Sequence, residues 1–524
     1  MKLFQLFLSV ALVSACAACS QKVIIKQPEV VQGPVIPPPI VPVMDHWQTV
    51  DTNSELSVND QDLWQRIITA YGFNQDIDNP RVRSQLNWYR KHQGYMDRMA
   101  TRAQRYMYFI AEQIDVRGIP GELALLPIVE SAFDPFAYSH GRASGVWQFI
   151  PSTGRDFGLD QDWWYDGRRD ISASTIAALT YLEALQREFK GDWLLALASY
   201  NTGAGNVRKA IRKNKREGKP TDFWSLSLPR ETREYVPKLI ALAQLVKYPE
   251  KYGITLKPLA NEAYFASVDT GGQIDLSQLA EISETPLDEI YKLNPGFNRW
   301  ATKPNGPHKV LIPIDKKDIF LENIAELPKE SRMKWQRYQV KSGDSLITIA
   351  KKFHTTPDAL KDANNLRRSM IRIGDQLLIP SAHKSLHTYS YSAGSRLAKI
   401  QNSEKRSKNR DKIEYQVQSG DSFWEIAQDH KVGIRELAKW NGMAPGDMLK
   451  PGQKLVIWGQ KKQRQSREVI RKLTYTVRNG DSLARIADKF RVRVQDLIRW
   501  NRQKSKSKYL QPGQRLTLYV DVTN

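Results

Sequence analysis

The sequence predicts a mainly α-helical domain followed by a row of small α+β modules of βααβ order, on three observations. At 524 residues the chain is long enough for three or four domains of roughly 150 residues each. Helical patterning, with aromatic and charged residues interleaved, is dense from Asp60 to Val116, and further helix signals follow as far as Val246. Beyond it, a nine-residue segment beginning at Tyr338 returns at Tyr415 and at Tyr475, offsets of 77 and 60 residues.

Taken in order, the chain opens with Met1-Lys2 and an apolar run from Leu3 to Val13, too short to span a bilayer comfortably, which reads as a signal peptide. Val13-Ser14-Ala15-Cys16 resembles a bacterial lipobox, and that resemblance implies Cys16 as the lipidated first residue of the mature protein. Cys19 is a second candidate, although it places Cys16 where an aliphatic residue is expected; an ordinary cleaved signal with incidental cysteines is the alternative. These are the only two cysteines, so no disulfide framework is expected. Ala17, rather than Asp, after Cys16 resembles lipoproteins sorted to the outer membrane. Residues 1–19 are thus assigned to the signal and lipobox, with a lipid-anchored periplasmic protein of a Gram-negative bacterium as the expectation. Residues 20–45 form a Pro-rich linker in which Pro37-Pro38-Pro39 favours extended polyproline II, a spacer from an anchor.

There are 78 Lys and Arg against 56 Asp and Glu, a formal net charge of +22 that points to a polyanionic or anionic-surface partner. Nucleic acid is the first reading of such a balance, and the export signal argues against it. Residues 46–117 read as helices that pack on the domain after them, through Leu63, Trp64, Ile67, Tyr71, Tyr89, Met99 and Ile110 among others. No metal motif or Gly-rich loop occurs there, and no metal or cofactor is expected.

Gly118 to Pro120 breaks the pattern, and residues 118–250 form the central domain. Along Glu122–Pro135, helical spacing puts Leu123, Leu126 and Glu130 on one face, so a carboxylate shares an apolar stripe. Burial raises a carboxyl pKa, as a general acid near neutral pH requires. A glutamate paired with a buried Arg, or one ending a helix in water, is the alternative. Gly141 and Gly145 permit close backbone approach or positive φ, and Gln148 offers an amide donor and acceptor. Asp170 caps a helix carrying Ala178, Leu182, Leu185 and Phe189 on one face, and Asp192 caps a helix that ends at Tyr200-Asn201-Thr202-Gly203. A last helix opens at Arg230-Glu231-Thr232-Arg233-Glu234-Tyr235.

In this order, Glu130-Ser131, Gly141-x-x-x-Gly145-x-x-Gln148, Tyr200-Asn201-x-Gly203 and Glu231-Thr232-Arg233-x-Tyr235-Val236 closely resemble the four motifs of the family 1 lytic transglycosylase domain. The resemblance covers about residues 118 to 246 and implies a goose-type-lysozyme-like helical fold. The chain departs at Ser199, where the family usually has Ala, and at Trp147, where Met is common. A glycoside-cleaving site usually needs two carboxylates. Asp134, before Pro135, reads as a turn or cap residue, and Asp156, Asp160, Asp162 and Asp166 lie in a polar loop with no apolar setting. The resemblance resolves the shortage, because it implies one glutamate acting as acid and then as base towards the sugar's own 6-hydroxyl. It assigns Glu130 that role, Ser131 and Gln148 the orientation of the scissile sugar, Tyr200 and Asn201 the lining of the site, and Tyr235 a hydrogen bond near Glu130. For the tyrosines, ordinary packing is the alternative.

Residues 257–320 have two short helices and a strand at Val310-Leu311-Ile312, and read as a degenerate copy of the repeats after them. The clear repeats occupy 335–380, 413–458 and 473–520, separated by basic linkers 381–412 and 459–472 that need not be structured. In each, a strand ends at Gly-Asp, Asp-Ser caps a helix, an Asn follows (Asn364, Asn441, Asn501) and a turn leads to a closing strand. Three such copies resemble LysM, a module that binds N-acetylglucosamine-containing glycans. The implied contacts are Gly343, Asp344 and Ser345; Gly420, Asp421, Ser422 and Phe423, with Leu449, Lys450 and Pro451; and Gly480, Asp481 and Ser482. The alternative is that Gly-Asp-Ser serves only as turn and cap. Weak modules in series gain by avidity, so glycan strands of peptidoglycan are the expected partner and nucleic acid is not. Protein partners are not legible. A hydrolytic muramidase and a non-catalytic wall-binding scaffold are the rival functions.

Overall fold

The computed structural model describes residues 62–306, 308–353, 355–364, 366–403, 410–460, 470–501 and 510–521. The signal, both cysteines and the Pro-rich linker lie outside the described residues. The chain divides into two compact units, one drawn from Met1–Val129 and Thr175–Glu262, the other from Glu130–Ser174 and Ala263–Asn524.

The helical region runs α1 (Leu63–Thr69), α2 (Pro80–Arg90), α3 (Gln93–Ala103), α4 (Met107–Arg117), α5 (Leu126–Ser131), α6 (Pro151–Asp156), α7 (Ile171–Glu188), α8 (Trp193–Thr202), α9 (Ala204–Arg216) and α10 (Arg230–Lys247). Their ends follow the cap chemistry of the sequence. Asp62 accepts from Trp64 N, Asn79 from Arg81 N ahead of Pro80, and Asp192 from Leu195 N, each satisfying a donor that the first turn leaves free. Gly118 closes α4 at φ 60°, the left-handed conformation that glycine adopts without strain. In the first unit α10 is the central rod: Tyr235 to Val246 is buried except at Lys238, and the helix packs against α1, α2 and α8. A 3₁₀ turn, Gly121–Leu125, lies against α1, α4 and α10. Gly121 is required there, because a Cβ would stand 2.4 Å from the Ile67 carbonyl oxygen.

Among the described residues, the second unit holds four antiparallel two-stranded sheets. Strands β1 (Phe265–Asp269) and β2 (Lys309–Pro313) enclose α11 (Leu276–Ile282) and α12 (Leu287–Leu293), followed by α13 (Lys317–Glu326). The pattern recurs with β3 (Lys334–Gln339), α14 (Leu346–Lys352), α15 (Pro357–Ala363) and β4 (Gln376–Ser381). After α16 (Ala393–Asn402) come β5 (Arg410–Gln416), α17 (Phe423–Asp429), α18 (Ile434–Trp440) and β6 (Lys454–Gln460), then β7 (Ile470–Thr476), α19 (Leu483–Lys489), α20 (Val494–Asn501) and β8 (Arg515–Asp521).

One asparagine staples each module. Asn441 Nδ2 donates to the Leu437 and Val456 carbonyls, both at 2.8 Å, and its Oδ1 accepts from Val456 N at 2.7 Å, tying the second helix to the closing strand. Asn364 and Asn501 do the same, and so does Asn294 between Ile290 and Leu311 in the first module. The first module therefore shares the construction of the others although its opening Gly-Asp-Ser is missing.

The segment 381–412, expected to need no structure, carries among its described residues a 3₁₀ turn at Leu386–Thr388, α16 and the start of β5. The cause is tertiary. Tyr389 is fully buried, and its hydroxyl lies 2.9 Å from both carboxylate oxygens of Asp275, the N-cap residue of α11.

Candidate active site

The stretch around Glu130 is not one continuous helix. Residues 121–125 take the 3₁₀ turn, α5 begins at Leu126, and Ala132 (φ 49°) and Phe133 (φ 55°) end it with two left-handed residues. Glu130 stands half-buried in the last turn of α5, and the wholly buried carboxylate of the stretch is Glu122 instead. Burial raises the Glu122 pKa, and hydrogen bonds from Gly72 N (2.9 Å), Phe73 N (2.8 Å) and Gln75 Nε2 (2.7 Å) oppose the rise. Glu122 is thereby committed to tying residues 72–75 to the 3₁₀ turn.

After α5, residues 134–149 form a tight looped frame. Asp134 is the turn residue expected: its carboxylate accepts from Phe136 N at 3.0 Å. Ser131 Oγ donates to the Val146 carbonyl at 3.0 Å, and Gln148 Nε2 donates to the Gly145 carbonyl at 2.8 Å, so both motif side chains brace the same turn. Gly145, at φ 83°, lies so close to the next segment that a Cβ would meet the Arg168 carbonyl oxygen at 2.1 Å. Gly141 has no such constraint, since a Cβ there would meet only Ser139 Oγ at 3.7 Å.

Arg168 holds this frame from within, with Nη1 donating to the carbonyls of Arg142 (2.7 Å) and Phe149 (3.2 Å). Its Nε and Nη2 reach the two oxygens of Asp166, at 2.9 and 2.8 Å. The expectation that Asp166 lies in a polar loop is corrected, for it is 8 % exposed. Burial alone would raise its pKa, but the Arg169 and Arg168 guanidiniums overcome that and hold the carboxyl below the usual range. Asp162 caps a turn through Trp164 N and Tyr165 N, and Asp160 pairs with Lys303. Asp170 is the N-terminal cap of α7, accepting from Ala173 N at 2.7 Å. Sequence reasoning passed over Arg168; its signal was a run of two arginines between two aspartates, Asp166-Gly167-Arg168-Arg169-Asp170.

The remaining motif residues belong to the first unit. Asn201, at the end of α8, accepts through Oδ1 from Thr232 Oγ1 at 2.8 Å, a bond that joins the third motif to the fourth. Tyr200 is half-buried, its ring 5.4 Å from that of Tyr181, and Tyr235 is buried on α10. Ser199 is fully buried, and its Oγ has no hydrogen-bond partner among the described residues. Alanine would fill that position equally well.

In the repeat modules Gly343, Gly420 and Gly480 have φ of 84°, 94° and 87°, the left-handed turn that ends the first strand. The aspartates serve that turn: Asp344, Asp421 and Asp481 each accept from the strand tyrosine hydroxyl and from the backbone N–H of Lys341, Gln418 or Arg478, at 2.7–2.8 Å. Ser345, Ser422 and Ser482 cap the following helices. The Phe423 side chain is buried in its module's core, so it does not face a ligand as expected. Its neighbour Trp424 is 59 % exposed and lines a cleft with Ser419, Gly420, Asp421, Glu425, Gln428 and Asp429.

The transglycosylase SLT domain matches residues 107–223, and the LysM domain matches 338–380, 415–458 and 475–518. The LysM-like domain of the lytic transglycosylase MltD matches 264–329. Membrane-bound lytic murein transglycosylase D of Escherichia coli K12 is 38 % identical over 395 residues, 73 % of this chain and 82 % of that protein. Membrane-bound lytic murein transglycosylase F of Desulfosudis oleivorans is 31 % identical over 137 residues, 25 % of this chain and 29 % of that protein. Among solved structures, an inactive variant of the lytic transglycosylase Slt from Pseudomonas aeruginosa is 25 % identical, covers 29 % of this chain and 25 % of its own, and has a TM-score of 0.21. With four motifs in order, a braced frame around Gln148 and identity sustained across four-fifths of a curated relative, the chain belongs to the membrane-bound lytic murein transglycosylase D family.

Proposed function

We propose that this lytic murein transglycosylase cleaves the β-1,4 bond between N-acetylmuramic acid and N-acetylglucosamine without water, with Glu130 as its acid and base. Glu130 gives its proton to the bridging oxygen as the bond from the muramic C1 breaks, and then takes the proton of the 6-hydroxyl as O6 bonds to C1. The product is a 1,6-anhydromuramyl end, and the glutamic acid is regenerated. Ser131 and Gln148 orient the sugar, and Tyr200, Asn201 and Tyr235 contact it. The observation that carries a one-carboxylate reaction is the commitment of the neighbouring acids: Asp134 to a turn and Asp166 to two arginines. A hydrolase would need a second carboxylate for its nucleophile or its water.

The three LysM repeats bind glycan through their turn backbone, and the chain acts in the Gram-negative envelope in wall turnover and remodelling. A lipid on Cys16 holds it to the outer membrane from the periplasmic side; among the described residues no helix is long and apolar enough to cross a membrane. The test is mass analysis of fragments released from purified peptidoglycan by the wild type and by Glu130→Gln. Anhydro ends that vanish in the variant support the reading. Reducing ends refute it in favour of a muramidase, and retained wall binding without release refutes it in favour of a scaffold.

A further inference from the structure

Residues 382–403, between the first two clear repeats, form a strap that reaches the frame carrying Gln148. Phe136 stacks on Tyr391 with centroids 5.1 Å apart and 22° between planes, and the Arg396 guanidinium lies 4.8 Å from the Phe136 centroid. Ala393 N, at the start of α16, donates to the Asn298 carbonyl at 2.8 Å. Further along α16, Gln401 Nε2 donates to Asn441 Oδ1 at 3.0 Å, and Gly442 lies against Ile400 and Leu397, so that a Cβ there would stand 3.1 Å from Ile400 Cδ1. One end of this strap therefore grips the frame and the other grips the module of β5 and β6.

That module also touches the frame directly. Arg142 Nε lies 2.6 Å from Asp447 Oδ1, and the Tyr138 hydroxyl donates to Asp447 Oδ2 at 3.4 Å. Asp447 is fixed in its own turn by Ala444 N, which donates to Oδ2 at 2.7 Å. Arg142 holds a left-handed φ of 66°, and its carbonyl is the one that Arg168 binds. Burial, with the charge of Asp447, pushes the Tyr138 phenol up to about 12, so it stays a neutral donor near pH 7.

We propose that the second of the clear repeats is seated on the 134–149 frame, and that Asp447 is a positioning residue acting through Arg142 and Tyr138 on the turn that presents Gln148. Arg168 sets that turn from inside and Asp447 from outside. Holding glycan and cutting glycan are then coupled: a module drawn away from the frame releases Arg142 and leaves the turn held on one side. The coupling rests on the lytic reading for what is cut, and its test separates the two.

The experiment compares the full chain with Arg142→Asp, Asp447→Arg, the double exchange Arg142→Asp with Asp447→Arg, and Asp447→Asn. The readouts are kcat and KM for fragment release from purified peptidoglycan, with pelleting on the same material as a measure of wall binding. Each single reversal should lower kcat about fivefold with pelleting unchanged, and the double exchange should return to within about twofold of wild type. Asp447→Asn keeps an acceptor for Ala444 N and should fall between, which keeps the test sound if Asp447→Arg unfolds its module. Wild-type kcat in the single variants, no recovery in the double exchange, or a loss confined to KM and pelleting would overturn the proposal. Reducing ends from the wild type would refute the proposed reaction instead, while the ratios of variants to wild type still read the coupling.

Discussion

Gly145→Ala paired with Gly141→Ala tests whether the two glycines of the second motif do the same work. At Gly145 the backbone has φ 83°, and an alanine Cβ would lie 2.1 Å from the Arg168 carbonyl oxygen, 3.0 Å from its carbon and 3.1 Å from Arg169 Cα. All three atoms are backbone, so no rotamer change relieves the clash. A non-glycine residue in the left-handed region costs about 1–2 kcal/mol, and overpacking adds about 1–3 kcal/mol, giving roughly 2–5 kcal/mol against the frame. If the frame yields by about 1 Å, Gln148 moves with the Gly145 carbonyl that holds it, and a misplacement of that size costs on the order of a hundredfold in rate. At Gly141 the nearest atom is a side-chain oxygen at 3.7 Å, and the expected change is within about twofold. Calorimetry of the full chain with turnover of purified peptidoglycan reads both effects. If Gly145→Ala retains wild-type melting and turnover, or if Gly141→Ala is equally damaging, the close approach to Arg168 is not what the motif requires.

Asn441→Ala leaves two carbonyls and one N–H of a module, and the Gln401 amide of the strap, without their partner, and should cost that module about 2–4 kcal/mol, seen as early melting of one transition by calorimetry. Asp166→Asn uncouples a buried pair and should destabilise by about 3–5 kcal/mol. Because the folded Asp166 carboxyl titrates below its unfolded value, the pair contributes fully above an unfolded pKa of roughly 4 and is lost as the pH falls through the folded value. Plots of melting temperature against pH should therefore show a shallower acid limb in Asp166→Asn; an unchanged limb would refute the assignment. Ser199→Ala removes an unpartnered buried hydroxyl and should raise stability by about 1 kcal/mol with turnover intact, so a fall in melting temperature would argue against that packing.

What could be read from the chain and what could not divide along the range of the interactions. Caps are local: Asp170, Asp192 and the serines of the repeats act within three residues, and the structure has them where the sequence suggested. Glu122 and Glu130 are eight residues apart in one apolar run, and spacing alone does not tell them apart. The distinction comes from a 3₁₀ turn and from donors at Gly72, Phe73 and Gln75, some fifty residues earlier. Asp166 read as a polar-loop residue with no apolar setting because its guanidinium partners and the frame they hold are assembled only in three dimensions. The strap failed as a linker for the same reason, since Tyr389 is ordered by Asp275, more than a hundred residues away. Phe423 departs from the expectation because the side chain after the cap turns inward into the core, while that of Trp424 turns outward.

The asparagine staple has a consequence for how such arrays change over evolutionary time. In each module both ends of the bond lie in the same copy, so the staple itself travels intact whenever a copy is duplicated and leaves no broken half behind when one is deleted. Each copy therefore keeps its shape without help from this bond in its neighbours. The seat of Arg142 on Asp447 ties down one copy alone, and selection on register falls on that copy rather than on the whole row.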